Sequence, residues 1–330
     1  TKVGHPELEA WKYPLPGDEH VPMIHRVVIH VDGPRVVRLK VPPDPHRGTV
    51  TDDIKDEEGR LDDVRWAADS SALAFVSSSR DHKQATLRVA DPETGEVRDV
   101  LEEKVDTFFE SGNDRSNWHF LPDSGEAIWF SQRDDWGHLY LYDLVSGKPK
   151  RQITSGPWNV AQVLKVDEKA RALYFVGVGR EKGRDPYYRH FYRVGFDGGD
   201  VTLLTPEDAD HQVSLSTSGG FFVDAYSTPV TPPVSVVRDL SGKVVMSLEK
   251  ADTTRLQAIG WKPPIPFTVK ARDGVTDLYG LMFRPTGFDP ARKYPILNNI
   301  YPGPQSGSVS SRSFSASRRW DARAIAELGF

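Results

Sequence analysis

Apolar positions fall in short runs along this chain. Val27 to Val31, Leu73 to Val76, Ala127 to Phe130, Leu139 to Tyr142, Leu173 to Val176 and Phe221 to Val223 are rich in β-branched and aromatic residues. Asp, Gly, Ser and Pro bound them, which is the pattern of short strands joined by turns. A 3.6-residue apolar period appears only in the last dozen residues. There Ala322, Ile325, Ala326 and Leu328 share a face, predicting a first helix over Ser317 to Leu328 with Gly329 as its stop.

The turns repeat. Val89 to Gly95, Leu141 to Gly147, Val194 to Gly198 and Val237 to Gly242 each carry a strand into an Asp-turn-Gly hairpin. The aspartates Asp91, Asp143, Asp197 and Asp239 recur at roughly 42 to 54 residues, the period of four-stranded propeller blades. A second signature lies about half a period earlier: Asp69, Asp123, Asp167 and Ser218, each in a short polar turn before a strand. The two signatures alternate through four repeats, which argues against a β-sandwich with coincidental turns. The pattern predicts a mainly β chain, with incomplete β-propeller blades of four antiparallel strands over 1–260. Residues 1–60 read as the end of earlier blades, with Asp44 to Gly59 a surface loop.

Beyond Arg255 the pattern changes. Trp261 to Pro266 is a Pro-rich connector, followed by two strands around Arg272-Asp273-Gly274. Three strands and a helix over 261–330 are how an α/β unit begins. The third strand, Ile296 to Tyr301, stops at Pro302-Gly303-Pro304, a rigid turn suited to presenting the Tyr301 side chain to a cleft.

Composition narrows the classes. The net charge is −5, without the basic excess of a nucleic-acid binder, and no apolar run reaches the ~18 residues of a membrane span. No cysteine is present, so disulfides, Cys-based zinc sites and thiol nucleophiles are excluded; this does not settle the compartment. The ten histidines show no paired metal spacing, and no metal or cofactor is expected. Gly177 to Gly183 has the wrong spacing for a dinucleotide loop and reads as a blade hairpin loop. Trp129, Phe130, Trp136, Tyr140 and Tyr142 read as blade packing, and Asp52 to Asp63 as a solvated acidic loop.

The blade run His138 to Asp143, the Arg272-Asp273-Gly274 hairpin, the Lys293-Tyr294-Pro295 lead-in and Tyr301-Pro302-Gly303-Pro304 occur in linked order. Together they resemble the dipeptidyl peptidase IV branch of the prolyl oligopeptidase family of serine peptidases, over essentially the whole chain. The resemblance implies a propeller that filters peptides above an α/β-hydrolase domain, with 261–330 as the start of that domain. It implies Tyr301 as an oxyanion-hole donor and Arg115, in Asn113-Asp114-Arg115, as a contact to a peptide carbonyl. It also implies peptide substrates and a homodimer in the parent enzyme, and leaves the compartment open between a periplasmic or secreted location and the cytoplasm.

One departure bears on activity. The sequence contains no Gly-x-Ser-x-Gly, and Ser306 and Ser308 lack the glycines and the strand-to-helix setting of a nucleophile elbow. The expectation is therefore an internal fragment, inactive alone. The competing expectation is a non-enzymatic propeller that binds a protein or peptide.

Overall fold

The apolar runs become strands, and the polar turns become their connections. A computed structural model describes residues 8, 15, 17–45, 63–109, 117–300, 312–316 and 322–330. Two units, Thr1–Thr154 and Ser155–Phe330, each hold two four-stranded antiparallel sheets.

The first unit opens with β1 (Met23–Ile24), β2 (Val27–His30), β3 (Arg35–Arg38) and β4 (Asp44–Pro45); β2 pairs with β3 and β1 with β4. The first blade follows as β5 (Val64–Trp66), β6 (Leu73–Ser78), β7 (Gln84–Ala90) and β8 (Val97–Lys104), paired in sequence order. The second is β9 (His119–Leu121), β10 (Glu126–Ser131), β11 (His138–Asp143) and β12 (Pro149–Gln152). In the second unit the third blade is β13 (Asn159–Asp167), β14 (Ala172–Val178), β15 (Arg189–Gly195) and β16 (Gly198–Leu203). The fourth is β17 (Asp210–Leu215), β18 (Phe221–Ser227), β19 (Val234–Asp239) and β20 (Val244–Lys250). A one-turn helix α1 (Thr254–Ala258), a hairpin of β21 (Ile265–Lys270) with β22 (Asp277–Met282), and helix α2 (Ala322–Glu327) complete the described elements.

Both repeated signatures are turns. In each blade the first turn contains a left-handed residue: Ser70, Gly125, Arg171 and Gly219. The last turn ends on Gly95, Gly147, Gly198 or Gly242, all at positive φ. Asp91 Oδ1 accepts the amides of Glu93 and Thr94, Asp143 Oδ1 those of Val145 and Ser146, and Asp239 Oδ1 those of Ser241 and Lys243. The Ser241 hydroxyl together with these amides at Asp239, and the amide bonds at Asp91 and Asp143, hold the three carboxyls below the usual carboxylate range. Asp197 differs: Gly195 pairs with Gly198 across a two-residue turn, and its carboxylate meets Arg171 at 3.5 Å.

The turn glycines have a second role. A Cβ on Gly147 would lie 1.9 Å from the Val100 carbonyl oxygen of the first blade. One on Gly242 would lie 2.5 Å from that of Leu204, at the end of the third. The same residue that reverses the chain thus lets one blade approach its neighbour. Behind these turns the blades pack through aromatic layers. In the first unit Trp129, Tyr140 and Tyr142 join Leu87, Leu101 and Trp118 in one buried cluster. In the second, Phe191 and Phe222 meet edge to face at 4.9 Å. Each such side chain contributes about 1.5–3 kcal/mol on burial.

Several expectations change. Trp136 is half-exposed rather than packed, and Asp63, read as part of a solvated loop, is buried. Asp63 accepts a 2.5 Å bond from Arg26, which also holds Asp44 at 3.2 Å. Asp44, expected in a surface loop, instead pairs within β4. A partly buried cation recruits nearby carboxylates, and local polarity does not reveal this. The first helix is α1, which lacks an apolar stripe; Asp252 Oδ1 accepts the Thr254 amide and hydroxyl at its start. Helix α2 buries Ala326, but Leu328 lies outside it and is 80% exposed. The described part of the expected third strand, 296–300, is irregular, and Ile296 is 93% exposed. A strand exists through a pairing partner, and among the described residues none lies alongside this segment.

Candidate functional site

Tyr301 and Arg115, the two site residues expected from the sequence, lie outside the described residues, as do Ser306 and Ser308. The flanks of both segments are described. Phe109 stacks on Trp129 at 5.8 Å, and Asn117 and Trp118 are buried, so the chain on either side of Arg115 is anchored in the core of the first two blades. Before Tyr301, Tyr294 stacks on Phe288 at 5.0 Å and its hydroxyl accepts the Asp289 amide at 3.0 Å. The Arg272-Asp273-Gly274 turn forms as expected: Asp273 Oδ1 accepts the amides of Val275 and Thr276, both at 2.9 Å, and Gly274 has positive φ.

After Tyr301, residues 312–316 dock on the second unit's blades. The Arg312 side chain is 3% exposed and donates to Asp185 Oδ2 through Nε at 2.7 Å and Nη2 at 2.5 Å. The Phe314 amide donates to Ser227 Oγ at 2.9 Å, and its ring meets Trp261 at 5.4 Å. Trp261 Nε1 in turn donates to the Ala316 carbonyl at 3.2 Å. Asp185 lies in the loop between β14 and β15, the hairpin loop expected after Gly177. Nothing in the sequence singled out Asp185, Ser227 or Arg312, because each gains its meaning from a partner far along the chain.

A second polar cluster lies within the fourth blade and the segment leading into it. Asp224 and His211 are fully buried; His211 Nδ1 lies 2.8 Å from Asp224 Oδ1, and its Nε2 3.1 Å from the Glu207 carbonyl oxygen. Arg238 donates Nε to Asp224 Oδ2 at 2.9 Å and Nη2 to both Glu207 carboxylate oxygens at 2.7 Å. Burial opposes the Arg238 charge, but these bonds outweigh it and raise its pKa. The ligand atoms of Glu207, His211 and Asp224 lie within 4.8 Å of one another, a spacing that would admit a metal ion. The guanidinium already supplies the positive charge, and both histidine nitrogens face oxygens, so the set reads as a buried ion network rather than a metal centre. Its fully buried His–Asp pair does not form half of a hydrolytic triad, since the second nitrogen is committed to a backbone carbonyl.

Beside it, His190 is buried with Nδ1 3.1 Å from the Thr205 carbonyl, and its ring centre lies 5.1 Å from that of His211. Burial, reinforced by His211, lowers its pKa to about 4. Asp210 accepts from the Arg189 amide, Nε and Nη2 at 3.0, 2.8 and 2.5 Å, a tie between β15 of the third blade and β17 of the fourth.

Consecutive four-stranded antiparallel sheets, repeated with the same two turns, define a β-propeller portion. Residues 1–233 match the family model of the dipeptidyl peptidase IV (DPP IV) N-terminal region, and the chain belongs to that family. Over 94% of its length it is 30% identical to the probable dipeptidyl-aminopeptidase B of Tuber melanosporum, covering 34% of that protein. Over 93% it is 26% identical to the probable dipeptidyl-aminopeptidase B of Emericella nidulans, again covering 34%. Among solved structures, a candidate dipeptidyl aminopeptidase IV from Bacteroides ovatus aligns with a TM-score of 0.67 at 25% identity, over 94% of this chain and 48% of that one. The chain thus spans about a third of the length of these curated relatives.

Proposed function

We propose that this chain supplies part of the propeller of a dipeptidyl peptidase IV-type serine peptidase, residues 1–260, with 261–330 opening its α/β-hydrolase domain. The observation that carries this reading is the family match over residues 1–233, together with relatives described as dipeptidyl-aminopeptidases along nearly the whole chain. In this reading the blades restrict access to short peptides, and Arg115 contacts a substrate carbonyl. Tyr301 donates its phenolic O–H to the negative oxygen of the tetrahedral intermediate. Removing one such donor costs about 10²–10³ in rate in other hydrolases. The nucleophile comes from outside this sequence, which has no Gly-x-Ser-x-Gly.

Two measurements test this. Incubated alone with a chromogenic dipeptide substrate and a serine-reactive phosphonate, the chain is expected to show neither turnover nor covalent labelling; either result would overturn the non-catalytic assignment. In the full-length polypeptide, Tyr301→Phe is expected to lower kcat about 10²-fold or more with KM little changed. A full-length protein that binds peptides without cleaving them would favour a binding propeller instead.

A further inference from the structure

Two neighbouring buried histidines have opposite hydrogen-bonding surroundings. His190 of β15 and His211 of β17 lie with ring centres 5.1 Å apart. A neutral imidazole has one N–H and one lone pair, so it suits one acceptor and one donor. An imidazolium has two N–H groups and needs two acceptors. The atoms facing each ring therefore report its protonation.

Around His211 both partners are acceptors. Asp224 Oδ1 lies 2.8 Å from Nδ1, and Oδ2 of the same carboxylate takes Arg238 Nε at 2.9 Å, which favours its ionised form. The Glu207 carbonyl oxygen lies 3.1 Å from Nε2. A carbonyl cannot donate, and this one also accepts from Arg184 Nη1 at 3.1 Å. Withholding either ring proton would set a nitrogen lone pair against an oxygen. The charges point the same way. Glu207 and Asp224 are negative, Arg238 is positive, and a positive His211 brings the four to neutrality. The other ionisable groups around the ring are accounted for. Tyr226 of β18 lies 5.4 Å away between ring centres, Arg184 has Asp208 at 4.0 Å, and Asp210 is held by Arg189.

His190 is the reverse. Its Nδ1 lies 3.1 Å from the Thr205 carbonyl, and its Nε2 is buried with no partner among the described residues. One acceptor supports one proton, and a charged neighbour opposes a second. The lowered pKa of His190, about 4, agrees with this.

We propose that the two rings carry different charges at neutral pH: His211 is an imidazolium, the second cation of the buried network, and His190 is neutral with its proton on Nδ1. A bound proton, rather than a metal ion, completes the set. Through it the segment leading into the fourth blade is joined to β17 and β18, with Nε2 bonded to Glu207 and Nδ1 to Asp224. This assignment does not depend on the peptidase reading.

Ring 15N shifts of this chain, labelled at histidine, test it at about pH 7.5, where a free imidazole has largely lost its second proton. The signals are assigned from the sets lost in His190→Gln and His211→Gln. His211 is expected to show two protonated nitrogens, and His190 one protonated and one bare. A bare nitrogen on His211, or two protonated nitrogens on His190, would overturn the proposal. Asp224→Asn removes the counter-charge and is expected to convert His211 to the neutral pattern, with the amide shifts of β14 and β15 unchanged. An imidazolium that persists in the folded variant would also overturn it. The wild-type shifts decide the matter where that variant does not fold.

Discussion

Between the first and second blades, Glu103 is the buried acid. It accepts from Trp129 Nε1 at 2.6 Å and Ser131 Oγ at 2.5 Å, with Arg133 reaching it at 3.2 Å from a partly exposed position. Within the fourth blade, Asp224 is the buried acid, and its partners are Arg238 and His211, both buried with it. The apolar layers follow one plan, while the polar chemistry does not. The first seam satisfies its carboxylate mainly with neutral donors. The cluster within the fourth blade balances charge against charge, so removing one member there leaves others buried and uncompensated.

The largest expected effect follows from this. Asp224→Ala should cost about 3–5 kcal/mol, and Glu103→Gln about 1–3 kcal/mol, read by denaturant unfolding. Equal losses would erase the distinction between the two clusters.

Next come the turn glycines. Gly147→Ala and Gly242→Ala should each cost about 2–4 kcal/mol, since the new Cβ meets a neighbouring carbonyl oxygen and the φ is positive. Gly125→Ala, with open space around it, should cost about 1–2 kcal/mol from its φ alone. A Gly147→Ala variant as stable as Gly125→Ala would show that the close blade approach relaxes.

The third prediction concerns pH. The folded pKa of His190, about 4, lies below its unfolded value, so on acidification the unfolded chain takes up the proton first. The stability this residue contributes is complete above about pH 6.5 and is lost as pH falls towards 4, on the order of 2–3 kcal/mol. His119, in the first unit, is also held to about 4, by burial and then by Arg65. His190→Gln should therefore flatten the acid dependence of exchange in β15 and β17 and leave that of β9 and β10 unchanged. A parallel change in both units would sink the local assignment.

The smallest effect is expected at the exposed turn carboxylates. Asp91→Ala and Asp239→Ala remove bonds to amides that water can also satisfy, so each should lower the melting temperature only slightly.

Much of the blade architecture was legible because its determinants are local. Asp91, Asp143 and Asp239 bond amides two to four residues away, and the glycines that follow reverse the chain, so the turns announce themselves at a fixed period. Asp197 shows where this reading thins, since the motif survives while the turn shortens. The strand expected over Ile296 to Tyr301 shows the opposite error: apolar residues suggested a strand, but a strand requires a neighbour that local pattern cannot supply. The candidate site was the least legible part. Tyr301 and Arg115 came from resemblance, and both lie outside the described residues.

The sequence by itself determined the repeat, the turn chemistry and the family, because these depend on residue types at short spacings. Tertiary structure decided which charges are buried and with whom. Arg26 with Asp63, Arg238 with Asp224 and Arg312 with Asp185 are pairs separated by 37, 14 and 127 positions. Nothing in the neighbours of any one of these residues marks it as paired. A charge enters the interior only where the fold delivers its counter-charge, and that delivery is a property of the whole chain.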